Sequence, residues 1–135
     1  MWNEEYQAID NISLVTLGEI IVSMSGVPRE VLRWLQSLDL SYSVKNPRRD
    51  LSNGFLVAEI FSRYYAHDVS MHSFDNSFGQ KRKVDNWNCL ERFFKRASIP
   101  ITRPVIDRVL VAEPGAAVLL LKKIYTFLTA KRIPT

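Results

Sequence analysis

The sequence is poor in the residues on which most active sites are built. One residue of 135 is cysteine, Cys89, which excludes an internal disulfide and any metal site made from several cysteines. A single thiol suits a reducing compartment. The five glycines are scattered, so no glycine-rich loop is available to cradle a phosphate. Long apolar runs are also missing. The most apolar early stretch, Leu14 to Met24, is too short to span a bilayer and carries Glu19. The first residues, Met1-Trp2-Asn3-Glu4-Glu5, are acidic where a secretory leader is basic, so no leader is expected. Lysine and arginine are absent from residues 1–27 altogether.

That last absence divides the chain. Residues 1–27 hold Glu4, Glu5, Asp10 and Glu19 and carry a charge of −4, so the remaining 108 residues carry +8 of the formal net charge of +4. A basic body with an acidic arm points to an acidic partner: nucleic acid, an anionic membrane, or an acidic polymer such as a microtubule or an actin filament. A merely soluble basic surface would look the same by charge. With 47% apolar residues the chain can bury a core, and its length fits one domain.

The stretch Asp50 to Tyr65 organises the rest. Leu56, Ile60 and Tyr64 form one helical stripe, and Val57, Phe61 and Tyr65 the next. Two adjacent apolar stripes predict a central, mostly buried helix over 51–65, with Asp50 or Ser52 as its cap. A buried strand is the alternative, but sixteen residues are too many for one. Before it, Ile12 to Met24 has helical spacing weakened by β-branched residues. It reads either as a docking arm or as a tail. Pro28 to Leu38 predicts a short helix with Val31, Leu32, Leu35 and Leu38 inward. Asp39 to Arg49 reads as a charged loop.

After it, Ala66 to Gln80 reads as a loop with one helical turn near Met71 to Phe74, pinned to the core by Met71, Phe74 and Phe78. Lys81-Arg82-Lys83 leads into a helix over 84–97 whose core face is Trp87, Leu90 and Phe94. Thr102 and Pro104 open a short helix with Ile106, Val109 and Leu110 inward. Pro114-Gly115 turns into a last helix, 115–131, lined by Ala117, Leu121, Ile124, Tyr125 and Leu128. The expected fold class is all-α, an orthogonal helical bundle. The expected domains are an acidic arm over 1–27 and a helical body over 28–132.

Catalytic constellations are weak. His67 and His72, with Asp68 and Asp75, offer a conceivable metal pair, but ordinary polar loop residues explain them better. Cys89 sits among Trp87, Leu90 and Phe93 with no histidine placed to activate it. No enzyme activity, cofactor or metal is expected. The basic clusters remain. Lys45, Arg48 and Arg49 lie before the central helix, Lys81, Arg82 and Lys83 lie after it, and Lys122 and Lys123 lie on the last helix. If the loop clusters converge, they form a binding face; if they spread, they are solubilising charge. The aromatics fall mostly on core faces, which argues against single-stranded nucleic acid.

Leu32-Arg33-Trp34-Leu35, then Arg49-Asp50-Leu51-Ser52-Asn53-Gly54-Phe55-Leu56-Val57-Ala58-Glu59-Ile60, then Lys83-Val84-Asp85-Asn86-Trp87-Asn88-Cys89-Leu90 resemble the calponin-homology-like domain of the sperm flagellar protein and spermatogenesis-associated protein family. Ala112-Glu113-Pro114-Gly115 before the last helix fits as well. The resemblance covers about residues 28–132; the arm has no counterpart in it. It implies a calponin-homology fold and a non-enzymatic, microtubule-binding module of a ciliary or flagellar axoneme. Implied partners are tubulin and other axonemal proteins, in the cytoplasm and its cytoskeleton, with no nucleic acid and no membrane. Actin binding usually takes tandem domains, and one is present here. Lys45, Arg48, Arg49, Lys81, Arg82, Lys83, Lys122 and Lys123 are the expected microtubule-binding residues, chosen by charge and placement. A protein–protein adaptor or self-associating component using the arm is the alternative.

Overall fold

Proline at the start and apolar spacing thereafter set the first element. In the computed structural model, which describes residues 26–133, α1 spans Arg29–Ser37 with Pro28 as its N-cap. It buries Val31, Leu32, Trp34 and Leu35. A four-residue helix, α2, follows over Pro47–Asp50 inside what the spacing reads as a plain loop. The Asn46 side chain accepts from the Arg49 amide (3.3 Å), and the Asp50 carboxylate accepts from the amides of Lys45 and Asn46 (both 2.9 Å). Asp50 therefore satisfies the start of α2 rather than capping the central helix.

The central helix, α3, is shorter than its apolar run, spanning Phe55–Ser62 instead of 51–65. Its start is fixed by Gly54, whose φ of 78° is left-handed, and by the Asn53 side chain, which accepts from the Phe55 amide (2.9 Å). Ser52 does not cap it; its hydroxyl donates to the Arg49 carbonyl (2.7 Å). Leu51 is fully buried ahead of the helix, within a turn. At the other end, the amides of Tyr64 and Tyr65 both return to the Phe61 carbonyl. Tyr64 thereby leaves the buried stripe: it is 42% exposed, and its hydroxyl accepts from the Trp34 indole N–H (2.8 Å).

A 3-10 turn over Met71–Ser73 precedes α4, Gln80–Arg96. Trp87, Leu90 and Phe94 are buried as their spacing predicts, with Phe93 beside them. The loop before α4 is anchored by buried Val69 and half-buried Met71 and Phe74, whereas Phe78, expected as an anchor, is 48% exposed. Then come α5, Arg103–Leu110, and α6, Ala116–Thr129. Thr102 is the α5 N-cap without a side-chain bond. The last helix packs on α1, α2 and α5, and α4 packs on α5. An aromatic group of Phe61, Tyr65, Phe93 and Phe94, at centroid separations of 5.2 to 6.2 Å, joins α3 to α4. No strand occurs among the described residues.

Helix ends here are closed without glycine at several points. Asp39, Ser98, Ala112 and Ala130 take φ between 51° and 57° at or just after the ends of α1, α4, α5 and α6. After α5 the Glu113 amide returns to Arg108 and the Ala112 amide to Val109, the paired bonds of a Schellman end. The expected helix at Ile12 to Met24 lies outside the described residues. Val27, placed with the arm by charge, is buried in the core.

Candidate functional site

The buried polar groups do the positioning. Asn53 is fully buried, and its amide donates to Asn76 Oδ1 (3.0 Å) and the Ser77 carbonyl (3.2 Å). Asn86 on α4 donates to the carbonyls of Asn53 (2.8 Å) and Asp75 (2.7 Å) and accepts from the Asp75 amide (3.1 Å). Every hydrogen-bonding atom of these two side chains has a partner on the loop, the turn or the first residue of α3, so the 75–78 loop is fastened to the start of α3. On the other side, buried Glu59 accepts from the Ser41 amide (3.0 Å) and hydroxyl (2.5 Å), and Arg63 donates to the Leu38 and Asp39 carbonyls. That fixes the 38–41 segment against α3.

Between these two fixed loops lies an open groove. Tyr42, Lys45, Arg49, Asp50, Leu56, Asn76 and Phe78 line it. Tyr42 is 53% exposed and meets Phe55 edge-on at 6.2 Å. The groove therefore offers two cations and two exposed aromatic rings on one surface. Lys45 forms no ion pair among the described residues; Arg49 pairs with Asp50 at 3.0 Å.

The second cluster stands in the first turn of α4, not in a loop as expected. Arg82 pairs with Asp75 at 2.6 Å, which ties it to the same 75–78 loop that borders the groove. Lys81 lies near Asp85 at 3.5 Å, and Lys83 is half-buried without an ion pair among the described residues. Cations in a first turn oppose the helix dipole, so their presence is not explained by helix stability. Arg48 is turned elsewhere: its Nε donates to the Ala112 carbonyl, and it shares a separate cleft with Pro47, Pro114 and Gly115. Lys122 and Lys123 lie on α6 and do not line the groove; Lys122 is half-buried. Thus Lys45 and Arg49 share the groove, Arg82 with its neighbours is anchored to its rim loop, and the other three expected residues lie elsewhere.

Charge alone missed Tyr42 and Phe78. Tyr42 stands between Ser41 and Ser43, and Phe78 between Ser77 and Gly79, a polar setting that signals exposure. They are exceptions to the expectation that aromatics fall on core faces. His67 and His72 are exposed, Cys89 is half-buried, and among the described residues no group of three His, Cys, Asp or Glu is placed to hold a metal ion. No described helix is long and apolar enough to cross a membrane.

This helical bundle, with its buried α3 and Trp-bearing α4, is matched over most of its length by a calponin-homology-like domain model. The chain belongs to the family described as the CH-like domain in sperm protein, which matches residues 31–126. It is similar to sperm flagellar protein 1 of Homo sapiens, at 31% identity over 102 residues, covering 72% of this chain and 43% of that protein. It is also similar to the Xenopus laevis protein of that name, at 30% identity over 94 residues, covering 69% of this chain and 41% of the relative. The chain spans less than half the length of these relatives.

Proposed function

We propose that the domain is a non-enzymatic attachment module of a ciliary or flagellar cytoskeleton that binds microtubules of the axoneme through its basic, aromatic-edged groove. The observation that carries this reading is the presence of Lys45 and Arg49 in one groove with exposed Tyr42 and Phe78, next to the Lys81-Arg82-Lys83 turn. Similarity to proteins named sperm flagellar protein 1 supports the compartment. The attachment is electrostatic toward acidic tubulin, with the rings excluding water at the contact. Each exposed ion pair contributes about 1 kcal/mol or less, so several act together. A second reading, a protein–protein adaptor or self-associating axonemal component, is favoured by exposed Val111 and Leu119 on α5–α6 and by the acidic arm.

The test is co-sedimentation with microtubules and with actin filaments at low and near-physiological salt. Pelleting with microtubules that survives the higher salt and is lost when Lys81, Arg82 and Lys83 are all reversed to Glu is the expected result. Pelleting with neither filament overturns the reading in favour of the adaptor.

A further inference from the structure

Away from the groove, a second cleft of about 280 Å³ lies between the 68–74 loop and the C-terminal half of α4. Two arginines, Arg92 and Arg96, line it from α4, facing Ser70, Ser73, Phe74 and Asp68. Four residues apart on a helix, the two guanidinium groups share one face, where like charges oppose each other. Neither has an ion pair among the described residues. Asp68 is the carboxylate in the lining, and no ion pair joins it to either arginine among the described residues; Glu91, next to Arg92 in sequence, is held by Arg103 (3.3 Å) and Lys95 (3.7 Å). The hydroxyls of Ser70 and Ser73 likewise make no hydrogen bond to another described residue, although the Ser73 amide donates to the Ser70 carbonyl (3.0 Å). With Asp68 as the one carboxylate in the lining, the cleft keeps a surplus of positive charge and two hydroxyls free to donate to an anion.

We propose that this cleft binds the phosphate monoester of a phosphorylated serine or threonine on a partner protein segment. The guanidinium forks match a dianionic phosphate bidentately, a geometry that a lysine pair does not offer. The two serine hydroxyls donate to the remaining oxygens. Phe74 and buried Val69 give an apolar wall for the side chain that carries the phosphate. Asp68, also in the lining, accepts from a peptide N–H and repels ligands with several phosphates, which favours a singly phosphorylated peptide over a polyphosphorylated headgroup. At about 280 Å³ the cleft takes a small group and not a folded partner. None of Tyr42, Lys45, Arg49, Phe78 or the Lys81–Lys83 turn takes part, so the inference stands apart from the groove.

The test follows backbone amide signals of the full chain by NMR during titration with acetyl-phosphoserine N-methylamide, its unphosphorylated twin, inorganic phosphate and inositol hexakisphosphate. Saturable shifts at Ser70, Ser73 and the last turns of α4 are expected with the phosphoserine compound, weaker ones with inorganic phosphate, and none with the unphosphorylated twin. Arg92→Gln and Arg96→Gln should each weaken binding on the order of tenfold while the unfolding temperature stays put, since both side chains are exposed. Shifts spread over the whole basic surface without saturation, equal affinity for inorganic phosphate, or preference for the inositol polyphosphate would overturn the proposal.

Discussion

The Trp87 indole donates its N–H to the Ser52 carbonyl at 2.8 Å, across thirty-five residues and inside the core. With the bond from Asn86 to the Asn53 carbonyl, it seats α4 on the turn before α3. Trp87→Phe should leave the buried Ser52 carbonyl without a donor, costing about 1–3 kcal/mol, and add a cavity term. Urea unfolding should show a lower midpoint with an unchanged slope.

Gly54 packs against the same tryptophan. A Cβ there would lie 3.2 Å from Trp87 Cε2 and 3.3 Å from Leu90 Cδ1, on a residue with φ of 78°. Gly115 has a similar φ of 84° but nothing within 4 Å of the added atom. Gly115→Ala should therefore cost about 1–2 kcal/mol from backbone strain alone. Gly54→Ala should cost more, roughly 2–4 kcal/mol, because overpacking is added. Equal losses in thermal unfolding would show that the space beside Trp87 can relax.

Ala112 closes α5 at φ 57°, in the position where glycine is the usual residue. Ala112→Gly should stabilise the domain by roughly 0.5–1 kcal/mol, the relieved strain being partly offset by the freer unfolded chain. Its carbonyl, the acceptor for Arg48, is retained. A rise in unfolding temperature of a few degrees checks this.

Lys83 makes stability and binding separable. It sits in the first turn of α4 without an ion pair among the described residues. Lys83→Glu should complement the helix dipole and stabilise by about 0.3–1 kcal/mol. If the proposed filament contact is right, the same change weakens microtubule pelleting. A variant that is both less stable and still bound would contradict both parts.

The exposed rings offer the complementary experiment. Tyr42→Ser and Phe78→Ser remove rings that the bundle leaves about half exposed, so stability should fall by only about 1 kcal/mol. If the proposed filament contact is right, microtubule affinity should fall at high salt as well as at low, because apolar contact is not screened.

How much of this was legible beforehand depended on what each residue's neighbours in sequence could reveal. Trp87, Leu90 and Phe94 declared a core face because one long helix repeats its spacing several times. Pro47–Asp50 gave no such signal, since four residues hold barely one turn. The apolar run through Tyr64 and Tyr65 outlasted α3 because hydrophobicity marks burial, while the ends are set by Gly54, by Asn53 and by the turn at Phe61. The sites divided in the same way. Charge singled out Lys45 and Arg49 as candidates, but their meeting with Phe78 depends on Asn53 reaching Asn76 across twenty-three residues. Arg48 differs from Arg49 by one position and points to Ala112 instead, which composition does not encode.

The asparagine pair has one more effect. Asn53 and Asn86 fasten the rim of the groove with neutral amides, held away from solvent, whereas the attraction proposed for a partner would come from the cations at its edge. Ions in solution act on the second and leave the first alone. In the proposed contact, shape and strength would therefore answer to different conditions: ionic strength would loosen the grip of the domain without altering the outline that chooses where it lands.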